Sequence, residues 1–241
     1  MKAVERWHSS RLEQWVGVAR WGGYGRPVLV FPTAGGDAEE IERFGLVDAL
    51  GGLLGAGRIK VYSVDSISGR SWLRNEDPRH AIWLQNQFDR FLVDEVMPLI
   101  RAECNDGGIE IVTAGASIGA FWALELITRH PDLVRTAVCM SGTFDLSPWR
   151  HGHWSDDFYF SSPLDFVPGL DGWQLDQLRR RFIVLSCGGG RWENPDESWR
   201  MADVLGAKGV PNRVDQWGGE WDHDWPTWRA MLPLYLDDLA G

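Results

Sequence analysis

Short apolar runs alternate with amphipathic stretches along most of this 241-residue chain. The runs are four to six residues long and bounded by turn residues, which is typical of strands buried on both faces of a parallel sheet. The predicted strands of this kind are residues 28–31, 59–64, 109–113, 137–141 and 182–186, and residues 213–216 are predicted to form a further short strand.

Helical spacing of apolar positions separates these runs. It predicts helices over residues 41–54, 87–102, 118–128, 199–206 and 227–239. Pro98 falls inside the second of these and is expected to bend or distort it. Segments 4–12 and 14–21, ahead of the first buried strand, alternate polar and apolar residues and predict an antiparallel hairpin.

The order of these elements predicts an α/β fold. Strands that alternate with helices favour a mostly parallel central sheet with helices on both faces, built here as a single domain over residues 1–241. Residues 147–175 are the exception, because they lack periodicity and are rich in Trp, His, Asp and Pro. This insert follows the strand ending near Ser141, and we expect it to cover the functional site like a lid.

Composition restricts the partners and the compartment. The formal net charge of −10 opposes binding to nucleic acid or to an anionic membrane. Three cysteines, two of them at the ends of apolar runs, favour buried thiols in a reducing compartment over disulfides. The sequence shows neither a signal-peptide pattern nor a membrane-spanning run, so a cytoplasmic location is expected. The oligomeric state is left open.

The most specific motif is Gly-Ala-Ser-Ile-Gly at residues 115–119, between a predicted strand and a predicted helix. This context is typical of a nucleophile elbow, in which a tight turn exposes the serine above the sheet and its neighbours must be small. Ser117 is the predicted nucleophile, and the backbone amide of Ile118 is a predicted oxyanion donor. The alternative interpretation is a small-residue turn without chemistry.

A serine nucleophile needs a base, and in α/β-hydrolases the histidine comes last in the chain. His223 lies between the last strand and the final helix and is the predicted base; the alternative is a surface histidine stabilised by its flanking aspartates. His130 is interpreted as a helix cap. His151 and His153 could line the pocket or form a metal pair, but no third ligand is identified and no metal is expected.

The predicted triad acid lies after strand 182–186. Glu193 is favoured over Asp196, because Asp196 and Glu197 have the positions of first-turn residues in the following helix. Asp145, which follows the preceding strand, is a further candidate.

The loop after strand 28–31 should supply the second oxyanion donor. The amide of Ala34 is preferred to that of Thr33. Phosphate binding by this loop is the alternative, but the lysine and spacing of a P-loop are absent. Thr33, Trp154 and Trp221 are predicted substrate-binding residues, the two tryptophans as part of an apolar or sugar-stacking acyl pocket.

Five segments together carry a resemblance to a known family, namely residues 91–100, 115–120, 130–132, 138–142 and 222–225. They resemble the esterase D-like branch of the α/β-hydrolases, the putative-esterase family. The resemblance implies an α/β-hydrolase fold and hydrolysis of a small-molecule or acyl-ester substrate through an acyl-enzyme, without a cofactor. It places the nucleophile at Ser117, the base at His223 and the acid within residues 191–196.

Two segments depart from the family pattern. Residues 31–36 read Phe-Pro-Thr-Ala-Gly-Gly where His-Gly is usual, and Trp192-Glu193 stands where an aspartate is commoner. Two rival functions also stay open: acyl transfer by the same triad, and non-catalytic binding on a hydrolase scaffold.

Overall fold

The computed structural model describes residues 1–239 and contains one eight-stranded sheet. The strands are β1 (Lys2–Ser9), β2 (Gln14–Trp21), β3 (Arg26–Phe31), β4 (Ile59–Val64), β5 (Ile111–Ala116), β6 (Val134–Met140), β7 (Phe182–Cys187) and β8 (Asn212–Gln216).

The sheet order is β1-β2-β4-β3-β5-β6-β7-β8. Strand β2 runs antiparallel to both of its neighbours and the remaining pairs are parallel, which confirms the hairpin and the mostly parallel sheet. The first strand was predicted to reach residue 12 but ends at Ser9. The Ser9 hydroxyl accepts the backbone amides of Arg11 and Leu12, at 3.2 Å each, and so starts the turn.

Helices cover both faces of the sheet, as predicted. They are α1 (Glu40–Arg43), α2 (Leu46–Ala49), α3 (Gly51–Gly55), α4 (Ile67–Leu73), α5 (Pro78–Phe91), α6 (Met97–Glu103), α7 (Ile118–Arg129), α8 (Asp156–Ser161), α9 (Pro163–Phe166), α10 (Gly172–Leu178), α11 (Pro195–Ala207) and α12 (Trp225–Leu239).

Side chains alternate between two hydrophobic cores along the central strands. In β3, Leu29 and Phe31 pack into the core under α5 and α7, whereas Val28 and Val30 pack into the core under α1, α2 and α12. This two-sided burial is the physical reason for the continuous apolar runs in the sequence.

The helix predicted over residues 41–54 is three short helices. Gly45 has a φ of 75°, a left-handed conformation that no continuous helix contains, and it separates α1 from α2. Two further glycines at the start of α3 weaken helix propensity there.

The helix predicted over residues 87–102 begins nine residues earlier. The carboxylate of Asp77 accepts the amide of Arg79 at 2.8 Å and Pro78 occupies the first helical turn, which together form a regular N-terminus. The expected distortion at Pro98 takes the form of a π-helical turn, Leu92–Val96, between α5 and α6. Such a turn accommodates a proline, whose nitrogen cannot donate to the carbonyl four residues earlier.

The insert folds as a 3₁₀ turn (Ser147–Trp149), helices α8 and α9, a second 3₁₀ turn (Val167–Gly169) and α10. The side-chain amide of Gln174 donates to the carbonyl oxygens of Thr128 and Arg129 at the end of α7, at 3.1 Å each. His151 Nε2 lies 2.9 Å from Asn75 Oδ1, which ties the start of the insert to the α4–α5 connection. Within residues 1–239, no helix has the length and apolarity to cross a membrane.

Candidate active site

Ser117 lies at the turn between β5 and α7 in a strained backbone conformation, with φ 58° and ψ −125°. Its amide donates to the carbonyl of Met140 at 3.0 Å, and the amide of Thr143 donates to its carbonyl at 3.3 Å. These bonds from the end of β6 hold the turn against the adjacent strand. A serine held this way at the end of a buried strand is the geometry that the Gly-x-Ser-x-Gly motif predicts.

Both glycines of the motif are required by close backbone packing. A Cβ on Gly115 would lie 2.3 Å from the carbonyl group of Gly119, across the turn. A Cβ on Gly119 would lie 2.7 Å from the carbonyl oxygens of Phe31 and Pro32. The N-terminus of α7 therefore rests on the end of β3, which brings the amide of Ile118 next to the loop that begins at Pro32.

The structure brings His223 and Glu193 together from loops 30 positions apart in the sequence. Glu193 Oε2 lies 3.8 Å from His223 Nδ1, and the exposed fractions of the two side chains are 1% for Glu193 and 28% for His223. A distance of 3.8 Å exceeds hydrogen-bond length, although such bonds between catalytic groups often shorten only when substrate binds. The carboxylate is thus buried behind an imidazole that remains open to solvent.

Backbone contacts join the loop that carries Glu193 to the loop that carries His223. The amide of Gly190 donates to the carbonyl of Trp221 at 2.8 Å. A Cβ on Gly188 would lie 2.0 Å from that same oxygen, so only glycine fits there. Asp222 adds a side-chain link, because its Oδ1 accepts the amides of Trp192 and His223 at 2.8 and 2.9 Å.

Two further side chains, neither of them a predicted site residue, complete this cluster. The hydroxyl of Ser141 donates to Glu193 Oε1 at 2.5 Å, and it accepts the indole N–H of Trp228 at 3.0 Å. The Trp228 ring also packs edge-on against the His223 ring, with centroids 5.3 Å apart. The available signal was the position of Ser141 at the end of a predicted strand next to the elbow strand.

The other acid candidates lie elsewhere. Asp196 is exposed in the first turn of α11, as expected for a residue that stabilises a helix N-terminus. Asp145 Oδ2 accepts a hydrogen bond from Arg200 at 2.7 Å. Partial burial would raise the pKa of Asp145, but hydrogen bonds from Ser147 and Arg200 outweigh it and lower that pKa.

The loop after β3 is held by a buried carboxylate. Glu40 accepts the amide of Thr33 at 2.7 Å and its hydroxyl at 2.9 Å. Burial raises the pKa of Glu40, and the two bonds from Thr33 partly offset this. Since the amide of Thr33 is already bonded to Glu40, the amide of Ala34 is the better candidate for the second oxyanion donor.

The predicted substrate-binding aromatics lie on two different segments. Trp154, half exposed in the insert, contacts Phe158 and Tyr159, with ring centroids 5.8 and 6.4 Å apart. Trp221, on the histidine loop, packs edge-on against Trp217 at 4.8 Å. Their contact with a substrate stays a prediction, and so does the covering role of the insert. Among residues 1–239, no group of three or more His, Cys, Asp or Glu side chains is placed to hold a metal ion.

A comparison with protein families finds one matching model, described as "Putative esterase", over residues 74–232. The match covers more than half of the chain and includes Ser117, Glu193 and His223. The chain belongs to this esterase family. The enzyme class expected from the sequence, a carboxylic-ester hydrolase, is thereby confirmed at the level of the family. No curated protein matches the sequence.

Solved structures with similar folds confirm the α/β-hydrolase fold. A ferulic acid esterase superposes with a TM-score of 0.77 at 16% identity, covering 100% of this chain and 98% of that one. An S-formylglutathione hydrolase from Agrobacterium tumefaciens gives 0.77 at 12% identity, with 100% and 94% covered. Serine hydrolase F of Staphylococcus aureus, which binds fluorophosphonates, gives 0.69 at 14% identity, with 100% and 98% covered.

Proposed function

We propose that this esterase-family chain hydrolyses carboxylic esters through a Ser117–His223–Glu193 triad and a covalent acyl-enzyme. The observation that carries the proposal is the buried Glu193 carboxylate facing His223 Nδ1 at 3.8 Å. A carboxylate at Nδ1 favours the tautomer whose Nε2 is free to accept a proton. The strained backbone at Ser117, which is costly unless surrounding structure enforces it, supports the assignment of the nucleophile.

In the first half of the proposed reaction, His223 Nε2 takes the proton of Ser117 Oγ as that oxygen bonds to the ester carbonyl carbon. The amides of Ile118 and Ala34 donate to the resulting oxyanion. The bond from carbon to the alkoxy oxygen then breaks, and His223 gives its proton to the departing alcohol.

In the second half, water replaces the alcohol. His223 takes a proton from water as the water oxygen bonds to the acyl carbon. The bond to Ser117 Oγ then breaks, His223 returns the proton to that oxygen, and the carboxylic acid leaves. Glu193 stays ionised throughout and stabilises the imidazolium that forms twice in each cycle.

The test is hydrolysis of a p-nitrophenyl ester series, from acetate to octanoate, by the wild type and by Ser117→Ala. We expect turnover in the wild type and a loss of about 10⁴-fold or more in the variant, since removal of a serine nucleophile leaves only binding and oxyanion stabilisation. Ser63→Ala is the matched control. Ser63 is buried in β4 and its hydroxyl has no hydrogen-bond partner among the described residues, so this variant should keep full activity.

A fluorophosphonate probe separates the possible failures. An inactive wild type that is labelled at Ser117 would retain the nucleophile and show that the tested esters are not its substrates. A wild type that is neither active nor labelled would contradict the proposed function and favour a non-catalytic scaffold.

A further inference from the structure

We propose that Ser141 is a positioning residue that holds the Glu193 carboxylate in the orientation facing His223. This inference rests on the proposed function, because it assigns Glu193 the role of triad acid. Within residues 1–239 the Ser141 hydroxyl is hydrogen-bonded to Glu193 and Trp228 and not to His223, so it acts through Glu193.

The two oxygens of Glu193 have different partners. Oε1 accepts the hydroxyl of Ser141 at 2.5 Å, whereas Oε2 faces His223 Nδ1 at 3.8 Å. The shorter contact fixes the carboxylate more firmly than the longer one does. The hydrogen bond from Ser141 therefore restrains rotation of the carboxylate and, with it, the direction of Oε2.

Trp228 fixes the direction of the Ser141 hydroxyl. A serine hydroxyl has one proton to donate, and its lone pairs can accept. Since Ser141 Oγ accepts the indole N–H of Trp228 at 3.0 Å, its single proton is directed toward Glu193. The three groups form a directed chain of hydrogen bonds whose members polarise one another.

The backbone holds Ser141 where this chain requires it. Its φ is 48°, in the left-handed region that non-glycine residues rarely adopt, and the residue is 3% exposed. Its amide donates to the carbonyl of Ser186 on β7 at 2.7 Å. The preceding residue, Met140, accepts the amide of Ser117. Ser141 thus lies between the elbow strand and the strand that leads to Glu193.

The experiment measures the tautomer of His223 by NMR of the imidazole nitrogens in protein labelled with ¹⁵N-histidine, at a pH where the ring is neutral. We expect the wild type to carry the proton on Nδ1. Glu193→Gln should shift the ring to a mixture of tautomers, and Ser141→Ala should do the same because the carboxylate is no longer oriented. Ser63→Ala should leave the tautomer unchanged.

Trp228→Phe is the second variant, in case Ser141→Ala folds poorly. It keeps an aromatic side chain but removes the N–H that orients the serine, together with part of the indole ring, and it should shift the tautomer in the same direction by a smaller amount. Trp217→Phe is its control, because the indole N–H of Trp217 donates to the hydroxyl of Tyr235 at 2.9 Å, outside this cluster.

Steady-state turnover measures how much Ser141 contributes to catalysis. With a p-nitrophenyl ester, kcat of Ser141→Ala should fall on the order of tenfold with KM within about twofold, because the loss concerns the transition state and not substrate binding.

The tautomer decides the proposal whether or not the tested esters are substrates. A His223 tautomer that changes in Glu193→Gln but not in Ser141→Ala or Trp228→Phe would overturn it, as would a tautomer that Glu193→Gln leaves unchanged. An inactive wild type with the expected tautomer shifts would support the positioning role, and fluorophosphonate labelling of Ser117 would then decide whether the tested esters are not its substrates or the proposed hydrolysis is wrong.

Discussion

Two buried glutamates, Glu193 and Glu125, lie in side-chain clusters that differ in their hydrogen-bond and charge partners. Both side chains are almost inaccessible, with exposed fractions of 1% and 3%. Glu193 contacts a serine hydroxyl and an imidazole that is open to solvent. Glu125, on α7, contacts Gln85 on α5 and the guanidinium of Arg129.

The difference lies in the partners. Burial raises the pKa of Glu125, and the fixed charge of Arg129 only partly counteracts this. The same arginine lies 3.3 Å from Asp89, which also binds His130 at 2.9 Å, so the whole cluster forms a closed network between helices. Burial of an acid therefore does not by itself indicate a reactive site. A buried acid indicates a reactive site when its partner is exposed and can exchange a proton with a substrate.

The sharpest test of this contrast is Glu193→Gln, which should lower kcat on a p-nitrophenyl ester by about 10³–10⁴-fold, because an amide does not stabilise the imidazolium and permits the wrong tautomer. Its thermal unfolding should stay close to that of the wild type. Glu125→Gln is the matched control and should keep activity within a few-fold. Comparable losses in both variants would contradict the distinction.

Arg129→Met should have the next largest effect, on stability. It leaves Glu125 and Asp89 buried without their shared cation, and breaking a buried ion pair from one side costs about 3–5 kcal/mol. Urea denaturation would measure the change. Activity per folded molecule should be unchanged, since Arg129 lies at the far end of α7 from Ser117. A large loss of kcat in folded protein would instead show that the cluster around Glu125 influences the cluster around Glu193.

Glu125→Gln should have the smallest effect, visible as a pH dependence. Because the folded-state pKa of Glu125 is raised above its ordinary value near 4.5, the unfolded chain loses this proton first as the pH rises. The stability that Glu125 contributes is complete below the unfolded-state pKa and is lost as the pH rises toward the folded-state pKa.

The free energy of unfolding of Glu125→Gln, relative to the wild type, should therefore increase from acidic to neutral pH. Urea titrations of both proteins across this range would measure it. A difference that is independent of pH would show that Glu125 titrates alike in the folded and unfolded chains.

Local patterns predicted the fold because each central strand is buried on both faces, which leaves a continuous apolar signature. The elbow at Ser117 was readable because its whole motif lies within five residues, although Gly119 is required by packing against Phe31 and Pro32 at the end of β3. The start of α5 was missed although Asp77 and Pro78 form a standard helix start. The breaks at Gly45 and at the π-helical turn depend on backbone conformations that apolar periodicity does not report.

Long-range contacts account for what the sequence did not predict in the site. Ser141, Glu193 and Trp228 come from three separate segments, and their hydrogen bonds depend on how the ends of neighbouring strands align. No local pattern shows that a serine after β6 meets an acid 52 positions later. The choice of Glu193 over Asp196 followed from helix-terminus reasoning alone, and its role stays a prediction.

The glycines at 188 and 190 also determine how this protein can vary. A side chain at either position would clash with the carbonyl oxygen of Trp221, so we expect substitutions of these two glycines to be excluded both in natural variants and in mutant libraries. Arg191 and Trp192, the next two residues, point outward, and Trp192 is 68% exposed. Substitutions at Arg191 and Trp192 can therefore change the surface beside His223 without changing the distance between Glu193 and His223.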